Sequence, residues 1–504
     1  MPSQNPVLPW RYRSVALGIV VAGALVWSIA LGRFDPFYTD NPFFSVPALR
    51  ASLGFPFTYQ VSVHAPFVDS LWAYHGPLLP HLLAVLYRWF GFSRAMASVP
   101  NFVGGWLAAL LLVGFLIRRG YAQACLIFAV LWVGDRAVLE ILYARMEGLA
   151  LLFAAIGLIL AVEAAESSSR LAAALCGISC GLALLSHPLC ATFSLAAGGS
   201  FLLRRQFAVA AFFVLGLALD LLLLLKLWGF RPHDAVRQFL WHAGINRSET
   251  HGHGIRSLLG ALRWSEGWVA CLIVFSIAMA MVIGARSRTE MALVTGTALD
   301  LQFLAAYSLF SVPLLFMGAT FPYYLVYASI WPLLALAVLL EREWPRWRLA
   351  AAVLFVFWLG SVAWNLSRLR EQWKFHRALS AHLLVAEVTR DVPEADELMV
   401  GSDLYAIPVE AGHRRFALAS QLFEPESICA HCYLLVRQRD LDLFPEFAKA
   451  ALVGSREMLY DGPVFPDGGG SLNLEKVLLL GPVRGSAAVL TGSAGFWEGA
   501  GRPR

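Results

Sequence analysis

The stretch FAVAAFFVLGLALDLLLLLK, residues 207–226, decides the fold class. It carries only two charges, Asp220 and Lys226, and as a helix at about 1.5 Å per residue it is long enough to cross roughly 30 Å of hydrocarbon. Apolar runs of this kind recur from Val15 to about Asn365 and then stop. Over 504 residues, 58% are hydrophobic and only 14% charged, a balance that excludes a soluble globular chain. The reading is a polytopic α-helical membrane protein, with residues 1–365 forming the membrane domain and residues 366–504 a small soluble α/β domain.

Basic residues between the runs orient the bundle, because Lys and Arg near helix ends stay on the cytoplasmic side. Arg11 and Arg13 put the N-terminus inside. Spans are expected near 15–31, 95–117, 121–134, 137–161, 171–185, 189–203, 207–226, 267–284, 291–318, 322–340 and 349–365, about eleven transmembrane helices. Arg118-Arg119, Arg170, Arg204-Arg205, Arg286 with Arg288, and Arg342 with Arg346 and Arg348 then all fall inside, and the tail falls on the outer face of the plasma (inner) membrane. The count requires that Pro77 to Phe90 lie on the outer surface as an interfacial helix, since it is short for a span and holds Pro80, His81 and Arg88. The first segment reads as an uncleaved anchor rather than a signal peptide, its apolar core being longer than a signal core.

Residues 1–365 hold 24 basic and 16 acidic residues, and the tail 15 and 18. The basic excess of the membrane half is topological, and no block of Lys and Arg suggests nucleic acid. Five of the seven cysteines lie in apolar helices, where they pack as small hydrophobes. Cys429 and Cys432 form a Cys-Ala-His-Cys in the outer domain, read first as a structural disulfide, because a lone pair lacks the second ligand pair of a zinc site. The Gly468-Gly469-Gly470-Ser471 run is a loop, with no Lys-Ser/Thr and no helix start after it.

Chemistry belongs to the outer loops. The first, 32–94, supplies Asp35, Asp40, Asp69, His64 and His75 among aromatic residues. Arg145, about two turns into its helix from the outer end, is costly there unless it pairs, and a planar guanidinium suits a phosphodiester; Glu147, Asp135 and Glu140 are the alternative partners. His187 in Ser186-His187-Pro188 is either a phosphate partner or part of a plain helix breaker. The segment His242 to Arg256 holds His251, His253 and Arg256, and its Gly-flanked histidines lack the i,i+4 spacing of a metal site. It reads as a loop that closes on substrate, so no cofactor is assigned; a divalent metal held by Asp40 with one of these histidines is the alternative.

Asp40-Asn41, Ala48 and Gly54, then His75-Gly76-Pro77-Leu78 leading into an apolar helix, form a pattern that resembles the glycosyltransferase C superfamily. The similarity is to the branch of protein O-mannosyltransferases and lipid A aminoarabinose transferases. Ala144-Arg145-Met146-Glu147-Gly148, Gly181-Leu182-Ala183 before Ser186-His187-Pro188, and Phe321-Pro322-Tyr323-Tyr324 resemble further segments of that branch. The resemblance implies transfer of a sugar from a polyprenyl-phosphate-linked donor to an acceptor (lipid, glycan or protein) at the outer face of the cell envelope. Asp40 then takes the position of the general base, with Asp35 as fallback. Arg145, His187 and Arg256 would meet the donor phosphate, and His75, Tyr323, Tyr324, His251 and His253 would contact substrate.

The chain departs from the branch at Asn41, where Glu is usual, and at His187, where Lys is usual. These departures leave a catalytically silent, lipid-binding relative as one rival. A polytopic transporter or flippase of lipid-linked sugars is the other, against which stand the lack of an internal repeat and the crowding of ionisable groups on one side.

Overall fold

The computed structural model describes residues 7–31, 41–54, 57, 76–229, 231–238, 240, 295–311, 324–378, 381–393, 396, 398–401, 404, 407–408, 411, 416–419, 432–437, 456–466 and 474–483. In chain order the helices are α1 (Val7–Ser28), α2 (Asn41–Ser52), α3 (Leu78–Phe90), α4 (Arg94–Arg118), α5 (Ala122–Gly134), α6 (Ala137–Glu140), α7 (Glu147–Ser167), α8 (Arg170–Ser186), α9 (Ala191–Leu203), α10 (Phe207–Leu227), α11 (Thr295–Phe310), α12 (Leu325–Ala378) and α13 (Ala381–Asp391). A 3₁₀ turn, Pro188–Cys190, links α8 to α9. The strands are β1 (Leu398–Gly401), β2 (Phe416–Ala419), β3 (Tyr433–Arg437), β4 (Arg456–Pro466) and β5 (Leu474–Val483). Two compact units result: Met1–Leu31, Ala73–Leu79 and Ser98–Leu369 form one, and Gly32–Trp72, Pro80–Ala97 and Arg370–Arg504 form the other.

The first unit is the helical bundle. Among the described residues α4, α7 and α10 are long and apolar enough to cross a membrane. The bundle packs through small residues, as helices without a hydrophobic drive between them must. A Cβ on Gly177 of α8 would lie 2.0 Å from the Phe213 carbonyl of α10, and one on Gly216 would lie 2.0 Å from the Ala174 carbonyl. Glycine alone permits these two backbones to touch. The outward positions of α10, such as Val214, Leu215, Leu219 and Leu222, stay exposed, as suits a lipid-facing helix.

The helix expected over 137–161 is not continuous. It divides into the four-residue α6, an irregular connection at 141–146, and α7. No Gly or Pro marks the break in Ile141-Leu142-Tyr143-Ala144-Arg145-Met146. Its cause is a distant side chain: Asn101 of α4 donates Nδ2 to the carbonyls of Glu140 (3.2 Å) and Tyr143 (3.0 Å) and accepts from the Gly148 amide. Arg145 therefore sits in the turn before α7, not two turns inside a helix.

Helix α12 is 54 residues long, about 80 Å if straight, and its contacts show that it folds back. Glu341 accepts from the amides of Gln123 and Ala124 at the start of α5, whereas Asn365 donates to the carbonyls of Gly134 (3.2 Å) and Asp135 (2.9 Å) at its end. Between them, Trp358 Nε1 donates to the Leu131 carbonyl at 3.0 Å. The first part of α12 thus descends to the start of α5 and the second part climbs back along it. The spans expected at 322–340 and 349–365 lie in this one helical stretch, with Pro345 in the region of the reversal.

One end of the bundle is held by charge. Arg119 donates Nε to Asp300 Oδ2 (2.9 Å) and Nη1 to Glu166 (2.7 Å), Tyr121 donates to the same Asp300 oxygen at 2.9 Å, and Arg118 meets Glu163 at 2.9 Å. Asp300 is fully buried. The ends of α4 and α7 and the start of α11 are joined here.

In the second unit the sheet order is β2-β1-β3-β5-β4. β1 runs parallel to β2 and β3, and β5 antiparallel to β3 and β4. The apolar runs Leu398–Gly401, Tyr433–Val436 and Val477–Leu480 are β1, most of β3 and the middle of β5. Val388 and Val392, from α13 and its end, pack on Leu398, Val400, Leu435, Val477 and Leu479, and Val46 of α2 joins the same core. Tyr87 of α3 donates to Ser45 of α2 at 3.3 Å. Arg456 is buried, with Nη1 on the carbonyls of Cys432 (2.6 Å) and Gly481 (2.9 Å), and burial lowers its pKa to about 10. Cys432 is disulfide-bonded; Cys429 lies outside the described residues.

Candidate functional site

The site grows from the end of the bundle opposite the Arg119–Asp300 network. Helix α8 stops at Ser186 because Pro188 cannot continue it, and His187 turns the chain. The His187 amide still bonds back to the Ala183 carbonyl at 2.8 Å, while its Nδ1 accepts from the Leu189 amide at 3.1 Å. That acceptor role fixes the neutral tautomer, with the proton on Nε2. The ring is buried and lies edge-on to Tyr324 at 5.4 Å and tilted against Tyr327 at 5.6 Å, both from the start of α12.

Gly76, two residues before α3, closes on this turn. A Cβ there would stand 2.0 Å from the Leu185 carbonyl oxygen and 2.5 Å from the Ser186 carbonyl carbon. Only glycine allows this residue to rest on the end of α8. The His75-Gly76-Pro77-Leu78 and Ser186-His187-Pro188 motifs, more than a hundred residues apart, therefore meet.

Arg145 completes the cluster. It is 1% exposed, and both Nε (3.0 Å) and Nη2 (2.8 Å) donate to Glu147 Oε1, so the pairing weighed in the sequence with Glu147 is present. Arg145 and Glu147 are in turn electrostatic neighbours of the Tyr327 phenol, which links them to His187. Behind them lies Glu140, 7% exposed and surrounded by Arg136, Arg145, Glu147 and Arg368. Trp364 of α12 carries Arg136 at 5.3 Å and Arg368 at 5.0 Å from its ring centroid, tying the second part of α12 to the same corner.

Of the residues expected at the site, Arg145, His187 and Tyr324 come together. Asp35, Asp40, His75, Tyr323, His251, His253 and Arg256 lie outside the described residues. Helix α2 begins at Asn41, the residue after Asp40. Sequence reasoning missed Asn101 and Tyr327. A polar amide inside an otherwise apolar span was the signal for the first, because such a group must find partners inside the bundle; nothing in the sequence distinguishes Tyr327 from an interfacial aromatic. Among the described residues no cluster of three or more metal-binding side chains occurs.

The arrangement offers a neutral imidazole N–H, a pre-oriented guanidinium and phenol hydroxyls around one turn, a donor set suited to an anionic oxygen group. No family model and no curated protein matches the chain. Solved structures similar to it include ArnT from Cupriavidus metallidurans bound to undecaprenyl phosphate, at 13% identity over 94% of this chain and 98% of that one, with a TM-score of 0.48. The oligosaccharyltransferase of Archaeoglobus fulgidus in the apo form is similar at 12% identity over 86% of this chain and 71% of that one, with a TM-score of 0.43.

Proposed function

We propose that the chain is an integral-membrane glycosyltransferase that moves a sugar from a polyprenyl-phosphate-linked donor to an acceptor on the outer face. The observation that carries the reading is the meeting of Gly76, the Ser186-His187-Pro188 turn, Tyr324 and the Arg145–Glu147 pair at one end of the bundle. In this reading Arg145 and His187 receive the phosphate that departs. Glu147 holds the guanidinium in plane, and the guanidinium presents its charge to the phosphate oxygens. Asp40, with Asp35 as fallback, removes the proton from the acceptor nucleophile, an inverting displacement with no covalent intermediate. His75 and the residues His251, His253, Arg256 and Tyr323 take the roles that the resemblance gives them.

The test is donor use by the purified protein in liposomes, with a radiolabelled sugar on a polyprenyl phosphate and release of the sugar as readout. Arg145→Ala should raise the donor concentration needed for half-maximal rate by about tenfold or more, since it removes charge-assisted bonds to phosphate. Unchanged donor dependence in Arg145→Ala would remove Arg145 from the donor site.

A further inference from the structure

We infer that Asn101, buried in α4 and far in sequence from every motif above, is a positioning residue for donor phosphate recognition, acting through Arg145. The inference rests on the proposed donor role of Arg145 and goes beyond it by assigning what sets the guanidinium in place. Asn101 is wholly buried, and its side chain makes three hydrogen bonds to the segment that carries Arg145: two to carbonyls before it, Glu140 and Tyr143, and one from the Gly148 amide after it.

These bonds convert what sequence reads as a continuous helix into a turn. A helical 141–146 would use the Glu140 carbonyl within its own hydrogen-bond ladder, and Asn101 takes that acceptor instead. The backbone contact is equally close. A Cβ on Gly148 would fall 1.9 Å from the Asn101 carbonyl oxygen, and one on Gly104 would fall 2.6 Å from the Gly148 carbonyl oxygen. Helix α4 is thus pressed onto the start of α7 with the amide of Asn101 as the hinge point. Arg145 lies three residues before Gly148, and its amide bonds to the Tyr143 carbonyl at 2.9 Å.

The consequence concerns geometry rather than charge. Without the three bonds the Glu140 carbonyl and the Gly148 amide lose the Asn101 side chain in a dry interior, the Tyr143 carbonyl keeps only the Arg145 amide, and the segment gains by closing into helix. Arg145 would then swing with its backbone about the axis of α7, away from His187 and Tyr327.

The experiment measures binding of a fluorescent polyprenyl monophosphate to the full-length protein in liposomes. Asn101→Leu keeps the volume and removes all three bonds. Asn101→Asp keeps the acceptor for Gly148 and removes the amide donor, and serves where Asn101→Leu does not fold. Each should weaken binding by about tenfold, the cost of one or two unmade buried bonds. In the Arg145→Ala background either substitution should add less than about twofold, because the group it positions is gone. Losses that multiply in the double variants would show a general effect on the fold and overturn the inference. Single Asn101 variants that bind like the parent would overturn it as well, with the donor role of Arg145 intact if Arg145→Ala still weakens binding. If Arg145→Ala itself binds like the parent, the donor-site reading fails and the inference with it.

Discussion

Replacing Gly76 by Ala tests the contact of this residue with the end of α8. The added Cβ would lie 2.0 Å from the Leu185 carbonyl oxygen and 2.5 Å from the Leu185 and Ser186 carbonyl carbons, all backbone atoms that cannot rotate away. Ordinary contact requires about 3.5 Å, so the residue must retreat by more than about 1 Å. The end of α8 cannot yield instead, because the His187 amide is bonded to Ala183 and the Leu189 amide to His187. Overpacking of this kind costs about 1–3 kcal/mol of stability, whereas a 1 Å misplacement of reacting groups costs roughly a hundredfold in rate. The loss should therefore appear in transfer far more than in folding. Gly114→Ala is the control, since nothing lies within 4 Å of a Cβ there and a mid-helix alanine is favoured. Initial rates of sugar transfer in liposomes, with thermal unfolding of both variants, provide the assay. A Gly76→Ala protein that transfers at the parent rate would refute the placement of Gly76 on the Ser186-His187-Pro188 turn.

Two further outcomes follow from the same geometry. Asp300→Ala should destabilise the bundle by about 3 kcal/mol, because Arg119 and Tyr121 lose a buried carboxylate, read as the thermal midpoint in detergent. Arg456→Met should loosen the second unit by about 2 kcal/mol through two orphaned carbonyls, those of Cys432 and Gly481, and limited proteolysis should then cut the C-terminal region first.

What was legible in the chain is what local patterns encode. Long apolar runs bounded by Arg identified α4, α7 and α10, and the apolar runs 398–401, 433–436 and 477–480 correspond to β1, β3 and β5. Strand β4 was missed because Gly462, Pro463 and Pro466 read as turn residues, and α2 because Pro47 sits inside it. The break at 141–146 was beyond local reading, since its cause is Asn101 some forty residues earlier. Arg145 was accordingly placed inside a helix it precedes. Charged residues at 341–348 suggested a turn between two spans; the backbone there is helical, as the propensities of Glu and Arg favour, and only the contacts of Glu341 and Asn365 reveal the reversal. The grouping of His187, Tyr324 and Arg145 came from the order of motifs in a resemblance. Spacing alone does not bring positions 145, 187 and 324 together.

The most direct measurement of the central claim is single-turnover transfer from a polyprenyl-phosphate sugar by Asp40→Asn beside Asp35→Asn. Asparagine keeps the size and hydrogen-bonding capacity of Asp40 and removes the basic oxygen. The account predicts a fall of roughly a hundredfold or more for Asp40→Asn with donor binding retained, and a far smaller change for Asp35→Asn. Loss in Asp35→Asn alone would move the base five residues upstream, and near-parent transfer by both variants would contradict the assignment of the general base to the first outer loop's Asp35 or Asp40.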